Sequence, residues 1–170
     1  MILSSKLGIS PDGIFLSSTS GLGVNRVTPR AMMKILRALR AELQKNKLSL
    51  ADILPVAGID PGTLEDRYTD PAARGSVIAK TGTLVRTDGG ASSLVGQMRT
   101  KSGRVVLFVI LNQHGSVIRF RQNQDGIVAA IQNALGGPAP FDYRPVSLEL
   151  RLANSDYERA KARGEYEPKN

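Results

Sequence analysis

Ser76-Val-Ile-Ala-Lys-Thr-Gly-Thr83, Ser92-Ser-Leu-Val-Gly-Gln-Met-Arg-Thr100 and Arg104-Val-Val-Leu-Phe-Val-Ile-Leu-Asn112 follow one another closely in the middle of the chain. Each is short, apolar or β-branched in character and bounded by turn formers, so three strands are predicted over these ranges. Thr100-Lys-Ser-Gly-Arg104 reads as a hairpin loop, which makes the second and third strands antiparallel neighbours. Val85 to Gly90 joins the first strand to the second, with Thr87-Asp-Gly-Gly90 supplying turn chemistry. Helical patterns flank the block. Upstream, Thr28 is placed to cap a helix whose first residue is Pro29, and Met32, Leu36, Leu39 and Leu43 recur at helical spacing. Downstream, Gln122 to Leu135 puts Ile127, Ala130, Ile131 and Ala134 on one helical face, and Gly136-Gly-Pro138 ends it. The expected fold class is α/β, an antiparallel sheet with helices on its faces.

Between the first helix and the strands, Ala51 to Leu54 predicts a short helical turn, and Pro55 to Arg74 an irregular connection. Residues 1–137 then form one unit, and 138–170 an extended tail with a short helix near Asn154 to Arg163. The 170 residues, 41% apolar, suit a single domain with a buried core. Cysteine is absent and His114 is the only histidine, which excludes disulfides, thiolate metal sites and a zinc site made of three histidines. The longest apolar run, Val105 to Leu111, is too short to cross a membrane. Met1-Ile-Leu-Ser-Ser-Lys6 lacks a basic start, apolar stretch and cleavage site, so no export signal is expected in these residues.

The net charge is +8, and the segment from Arg26 to Lys47 carries six of those charges. Arg30, Lys34 and Arg37 share a helix face opposite the apolar stripe, which reads as a solvated surface. No aromatic side chain is interleaved with them, so a nucleic-acid partner is not expected. The chemistry lies instead in Lys80-Thr-Gly82 and the following Thr83. A strand that interrupts its apolar run with a cation, hydroxyls and a glycine presents charge and donors beside open backbone. That suits a carboxylate ligand lying along the strand. Ala79 precedes Lys80 and no helix follows, which excludes a P-loop.

A second element, Ser17-Ser-Thr-Ser-Gly-Leu-Gly-Val-Asn25-Arg-Val-Thr-Pro29, lies just ahead of the basic helix, and Leu54-Pro-Val-Ala-Gly58 follows that helix. In this order, with Lys80-Thr-Gly82 next, the chain from about Leu7 to Tyr143 resembles the low-molecular-mass class C penicillin-binding proteins. These are serine-type D-alanyl-D-alanine carboxypeptidases and endopeptidases. The resemblance implies a β-lactamase-like antiparallel sheet flanked by helices, of which this chain is the C-terminal portion. It also implies a site built from Ser-x-x-Lys, a Ser-x-Asn motif and Lys-Thr-Gly. Lys80 takes a family catalytic position, as does Asn25 counting forward from Ser20-Gly-Leu22, although counting back from Arg26-Val-Thr-Pro29 it falls just outside the motif; Ser20 is a substitute hydroxyl, and Lys80, Thr81, Gly82 and Thr83 take substrate-binding positions. The implied ligand is a peptidoglycan stem peptide or a β-lactam, the implied partner a missing N-terminal half, and the implied place periplasmic or otherwise extracytoplasmic. No cofactor is implied.

Two departures stand out. No lysine in the sequence has a serine three residues before it, so the Ser-x-x-Lys nucleophile is absent, and Gly23 stands where the second motif has serine. Two readings follow: the substrate-side portion of a carboxypeptidase, or a non-catalytic remnant that binds peptidoglycan peptides or a partner protein. Without further strands, the three-stranded sheet is expected to leave a face or an edge uncovered, making the isolated chain marginally stable or associating. His114 reads as a loop residue with a structural hydrogen bond, and Asp60, Glu65, Asp66 and Asp70 as solvated.

Overall fold

The computed structural model describes residues 2–18, 25–85, 89–145 and 163–164. Along the chain run α1 (Ile2–Leu7), β1 (Ile14–Phe15), β2 (Arg26–Val27), α2 (Pro29–Lys45), β3 (Val77–Leu84), β4 (Ala91–Arg99), β5 (Val105–Gln113) and α3 (Val117–Ala134). The short β1 and β2 pair antiparallel, with Ile14 opposite Val27. The main sheet has the order β3-β4-β5, antiparallel throughout. Each main strand lies within a residue of its predicted range. The hairpin closes through Thr100 N–H to Arg104 O at 3.0 Å, with Gly103 at a φ of 78° that a side chain would resist.

Strand alternation divides the core. Val77 and Ala79 of β3 join Leu94, Met98, Phe108 and Val128 on the face covered by α3. Ile78 points the other way, to Leu36, Leu43, Leu50 and Val56 beneath α2. Burial on both sides explains why these strands read as apolar runs instead of clean alternations. Both faces are covered, and among the described residues what stays open is the outer edge of β5 and, past Ala79, that of β3.

The helices depart from their predicted faces in an instructive way. Thr28 caps α2 as expected, its Oγ1 accepting from Ala31 N–H at 3.2 Å. The buried stripe of α2 is Ala31, Leu36 and Leu43, and Leu39 is left exposed. Helix α3 begins at Val117, capped by Ser116, five residues ahead of Gln122. It buries Gln124, Val128 and Gln132, while Ile127, Ala130 and Ala134 face solvent and Ile131 is half-buried. The physical reason is hydrogen bonding. Gln124 Nε2 donates to Ser92 Oγ at 3.2 Å and Asn112 Oδ1 at 3.0 Å, and Gln132 Nε2 donates to Ser76 Oγ and Arg99 O, both at 3.0 Å. Polar groups on the sheet thus select polar groups on the helix, which hydrophobic periodicity does not register.

The connection from Pro55 to Arg74 is irregular in backbone yet firmly packed. Val56, Ala57 and Leu64 are fully buried. Arg67 spans to α3, its Nη2 lying 2.6 Å from Asp125 Oδ1. Asp60, read as solvated, is buried: it accepts from Val56 N–H at 2.8 Å and Tyr143 Oη at 2.7 Å. Glu65, Asp66 and Asp70 are exposed. Beyond α3, Ala139 N–H bonds Arg99 O at 3.2 Å and Phe141 N–H bonds Gly75 O at 2.8 Å, and Phe141 and Tyr143 pack against the α2-side core. The stretch at the head of the predicted tail is therefore part of the fold. The helix predicted near Asn154 lies outside the described residues, apart from its end at Arg163. Among the described residues no helix is long and apolar enough to cross a membrane.

Candidate functional site

The open half of β3 is the chemically distinctive surface. Ala79 N–H donates to Pro55 O at 3.2 Å, and Val77 O accepts from Ala57 N–H at 2.9 Å, both away from β4. Odd-numbered residues of β3 therefore turn their backbone groups to the outer edge. Past Ala79 no described segment continues this pairing, so the amides of Thr81 and Thr83 lie along an open edge. Lys80 is exposed beside them, its Nζ 2.6 Å from Thr81 O.

Side chains alternate oppositely about that edge. Lys80 projects on the α2 side, where Gly82 leaves the strand bare, and Thr81 and Thr83 project on the α3 side. Thr81 Oγ1 donates to Thr63 Oγ1 at 2.7 Å, and Thr83 Oγ1 accepts from Arg121 Nη2 at 3.2 Å. Gly82 is needed by its neighbour on β4, because a Cβ there would lie 2.4 Å from Ser93 Oγ.

On the α2 side a cavity of about 390 Å³ opens between the start of α2 and the sheet, lined among others by Asn25, Met32, Gly82, Ser93 and Leu111. Asn25 is both wall and brace. Its Oδ1 accepts from Ser17 N–H at 2.8 Å and Ser18 N–H at 3.3 Å, and its Nδ2 donates to Ser18 O at 3.3 Å. Of the residues singled out in the sequence, Asn25 and Gly82 meet in this cavity, while Lys80, Thr81 and Thr83 share the strand edge and Lys80 is not part of the lining. Ser20 and Gly23 lie outside the described residues, as do Thr87 and Asp88.

His114 is exposed at a φ of 59° and makes no hydrogen bond among the described residues, contrary to the expectation for it. Among the described residues no group of three or more histidine or acidic side chains converges as a metal site. Thr63, Ser93 and Arg121 were not legible in the sequence. Thr63 lies 18 residues from Thr81, and Arg121 lies 38 from Thr83, distances at which local pattern carries no signal.

Comparison with known proteins places this arrangement. The model of the D-Ala-D-Ala carboxypeptidase 3 (S13) family matches residues 1–134. Carboxypeptidase DacB of Mycolicibacterium smegmatis is 36% identical over 113 residues, which is 64% of this chain and 24% of that protein. The chain thus spans about a quarter of that relative's length. Among solved structures, the predatory endopeptidase Bd0816 of Bdellovibrio bacteriovorus superposes with a TM-score of 0.71 at 26% identity, over 85% of this chain and 38% of the other. Penicillin binding protein 4 of Haemophilus influenzae superposes at 0.59 and 28% identity, over 75% of this chain and 31% of the other. The sheet and its flanking helices match part of both structures. With that fold shared and the family model running from the first residue to the end of α3, the chain belongs to the D-Ala-D-Ala carboxypeptidase 3 (S13) family.

Proposed function

We propose that this chain is the C-terminal, substrate-holding part of a serine-type D-Ala-D-Ala carboxypeptidase acting on peptidoglycan stem peptides. The observation that carries the reading is the open edge of β3 at Thr81 and Thr83, with the Lys80 cation beside it. An extended peptide can add to such an edge as a further strand, its amides pairing with those of the two threonines. The ammonium and the Thr83 hydroxyl then complement a C-terminal carboxylate.

In serine-type chemistry a serine oxygen attacks the carbonyl between the two D-alanines, D-alanine leaves, and water hydrolyses the acyl-enzyme. This sequence holds no Ser-x-x-Lys, so its residues bind and orient the peptide and the attacking oxygen comes from outside them. Gly23 at the second motif favours a second reading, a peptide-binding relative that does not acylate. Penicillin binding protein 4 of Haemophilus influenzae has been solved with a β-lactam bound. That likeness supports β-lactams as a ligand class for this strand as well. The same reading puts the place of work outside the cytoplasmic membrane, where peptidoglycan is.

Two measurements test the reading together. The chain is exposed to a fluorescent penicillin, denatured and run on a gel; separately, amide resonances are followed while N-acetyl-D-alanyl-D-alanine is added. The expected result is no covalent label and saturable shifts centred on Thr81 and Thr83. A covalent label would place a nucleophile within the chain, and peptide addition without any shift on β3 would remove the proposed role.

A further inference from the structure

We propose that Arg121 positions the Thr83 hydroxyl as a donor to the carboxylate of a peptide on β3, giving the strand its preference for a free C-terminus. This rests on the reading of β3 as a peptide-binding edge.

The two threonines differ in what their hydroxyls have left to give. Thr81 Oγ1 donates its single proton to Thr63 Oγ1 at 2.7 Å, so that proton is committed within the protein. Thr83 Oγ1 instead accepts, from Arg121 Nη2 at 3.2 Å. A guanidinium only donates, so the bond occupies a lone pair of Thr83 and leaves its proton for another acceptor. A hydroxyl without this partner turns freely and serves a peptide N–H as readily as a carboxylate. Held by Arg121, it presents hydrogen outward, which favours the carboxylate.

The placement of Arg121 points the same way. Arg119 lies in the first turn of α3 and Arg121 in the second, and the first turn holds no acid. Arg121 is exposed, its one side-chain hydrogen bond among the described residues is to Thr83, and no described carboxylate neutralises it. Arg67, also an arginine that contacts α3, is by contrast paired with Asp125. An exposed guanidinium with no described carboxylate partner, bonded to the candidate strand, is available to an anion that arrives from outside.

The test uses the full 170-residue chain, with N-acetyl-D-alanyl-D-alanine and its C-terminal amide titrated separately against the Thr83 amide resonance. The wild type is expected to bind the acid more tightly than the amide. Arg121→Gln weakens the acid about tenfold, the scale of one hydrogen bond to a charged group, and leaves the amide unchanged. Arg121→Lys, which keeps the charge and a donor, recovers part of the loss. Thr83→Val adds little to Arg121→Gln, because the two act as one unit. Circular dichroism confirms that each variant is folded. Acid binding by Arg121→Gln equal to the wild type overturns the inference and leaves the proposed function standing. Equal losses for acid and amide also overturn it, since they mark a general distortion of the strand. A wild type that binds neither peptide overturns both readings.

Discussion

The hydroxyl of Tyr68 is buried with no hydrogen-bond partner among the described residues, beneath an Arg67 guanidinium 5.7 Å from the ring centre. Burial first, and then the negative charge of Asp125, hold this phenol above its ordinary pKa of 10.0. The unfolded chain ionises Tyr68 near that ordinary value while the folded chain keeps it neutral. Its contribution to stability is therefore complete below pH 10 and is lost as pH rises beyond it. Tyr68→Phe removes the unsatisfied oxygen and is expected to stabilise the protein by about 1 kcal/mol at neutral pH. In urea titrations at rising pH, its midpoint should fall less steeply above pH 10 than that of the wild type. A lower midpoint at neutral pH would show that the hydroxyl is satisfied after all. Single residues also mark where the sequence was readable. Lys80-Thr-Gly-Thr83 announced itself by breaking an apolar strand, whereas the burial of Asp60 depends on Tyr143, 83 residues away.

Strands were legible as elements because β-branched runs bounded by turns allow few alternatives. The inward face of α3 was not, because Gln124 and Gln132 are buried through their carboxamides and their amphipathic signal is weak. Glycine gives a contrasting pair of tests. A Cβ on Gly96 of β4 would lie 2.1 Å from Ile78 O and 2.6 Å from Ala79 Cα on β3. Gly96→Ala must push two paired strands apart, and is expected to cost about 3 kcal/mol in denaturant unfolding. Gly126, within α3, has no such neighbour within 4 Å. Gly126→Ala is expected to stabilise by about 1 kcal/mol through helix propensity alone. Similar midpoints for the two variants would contradict the close approach of β3 and β4.

At the scale of the molecule, the outer edge of β5 is the surface expected to drive association. By the alternation that opens Thr81 and Thr83 on β3, Val105, Leu107, Val109 and Leu111 turn their backbone groups away from β4. The strand runs nine residues with neither charge nor proline, and such edges invite pairing between chains. Sedimentation velocity is expected to show association that grows with concentration. Val109→Pro, which removes an outward N–H without breaking the ladder to β4, should shift the population toward monomer. A wild-type monomer at every concentration, unfolding cooperatively at a high midpoint, would contradict this. That an edge or a face would be uncovered was readable from the number of strands, but the choice between them needed both helices in place. The contacts of Phe141 with Gly75, and of Tyr143 with Asp60, carry a consequence in time. A ribosome delivers Asp60 and Gly75 well before their partners, so these two latches on the connection cannot close until Phe141 and Tyr143 have emerged.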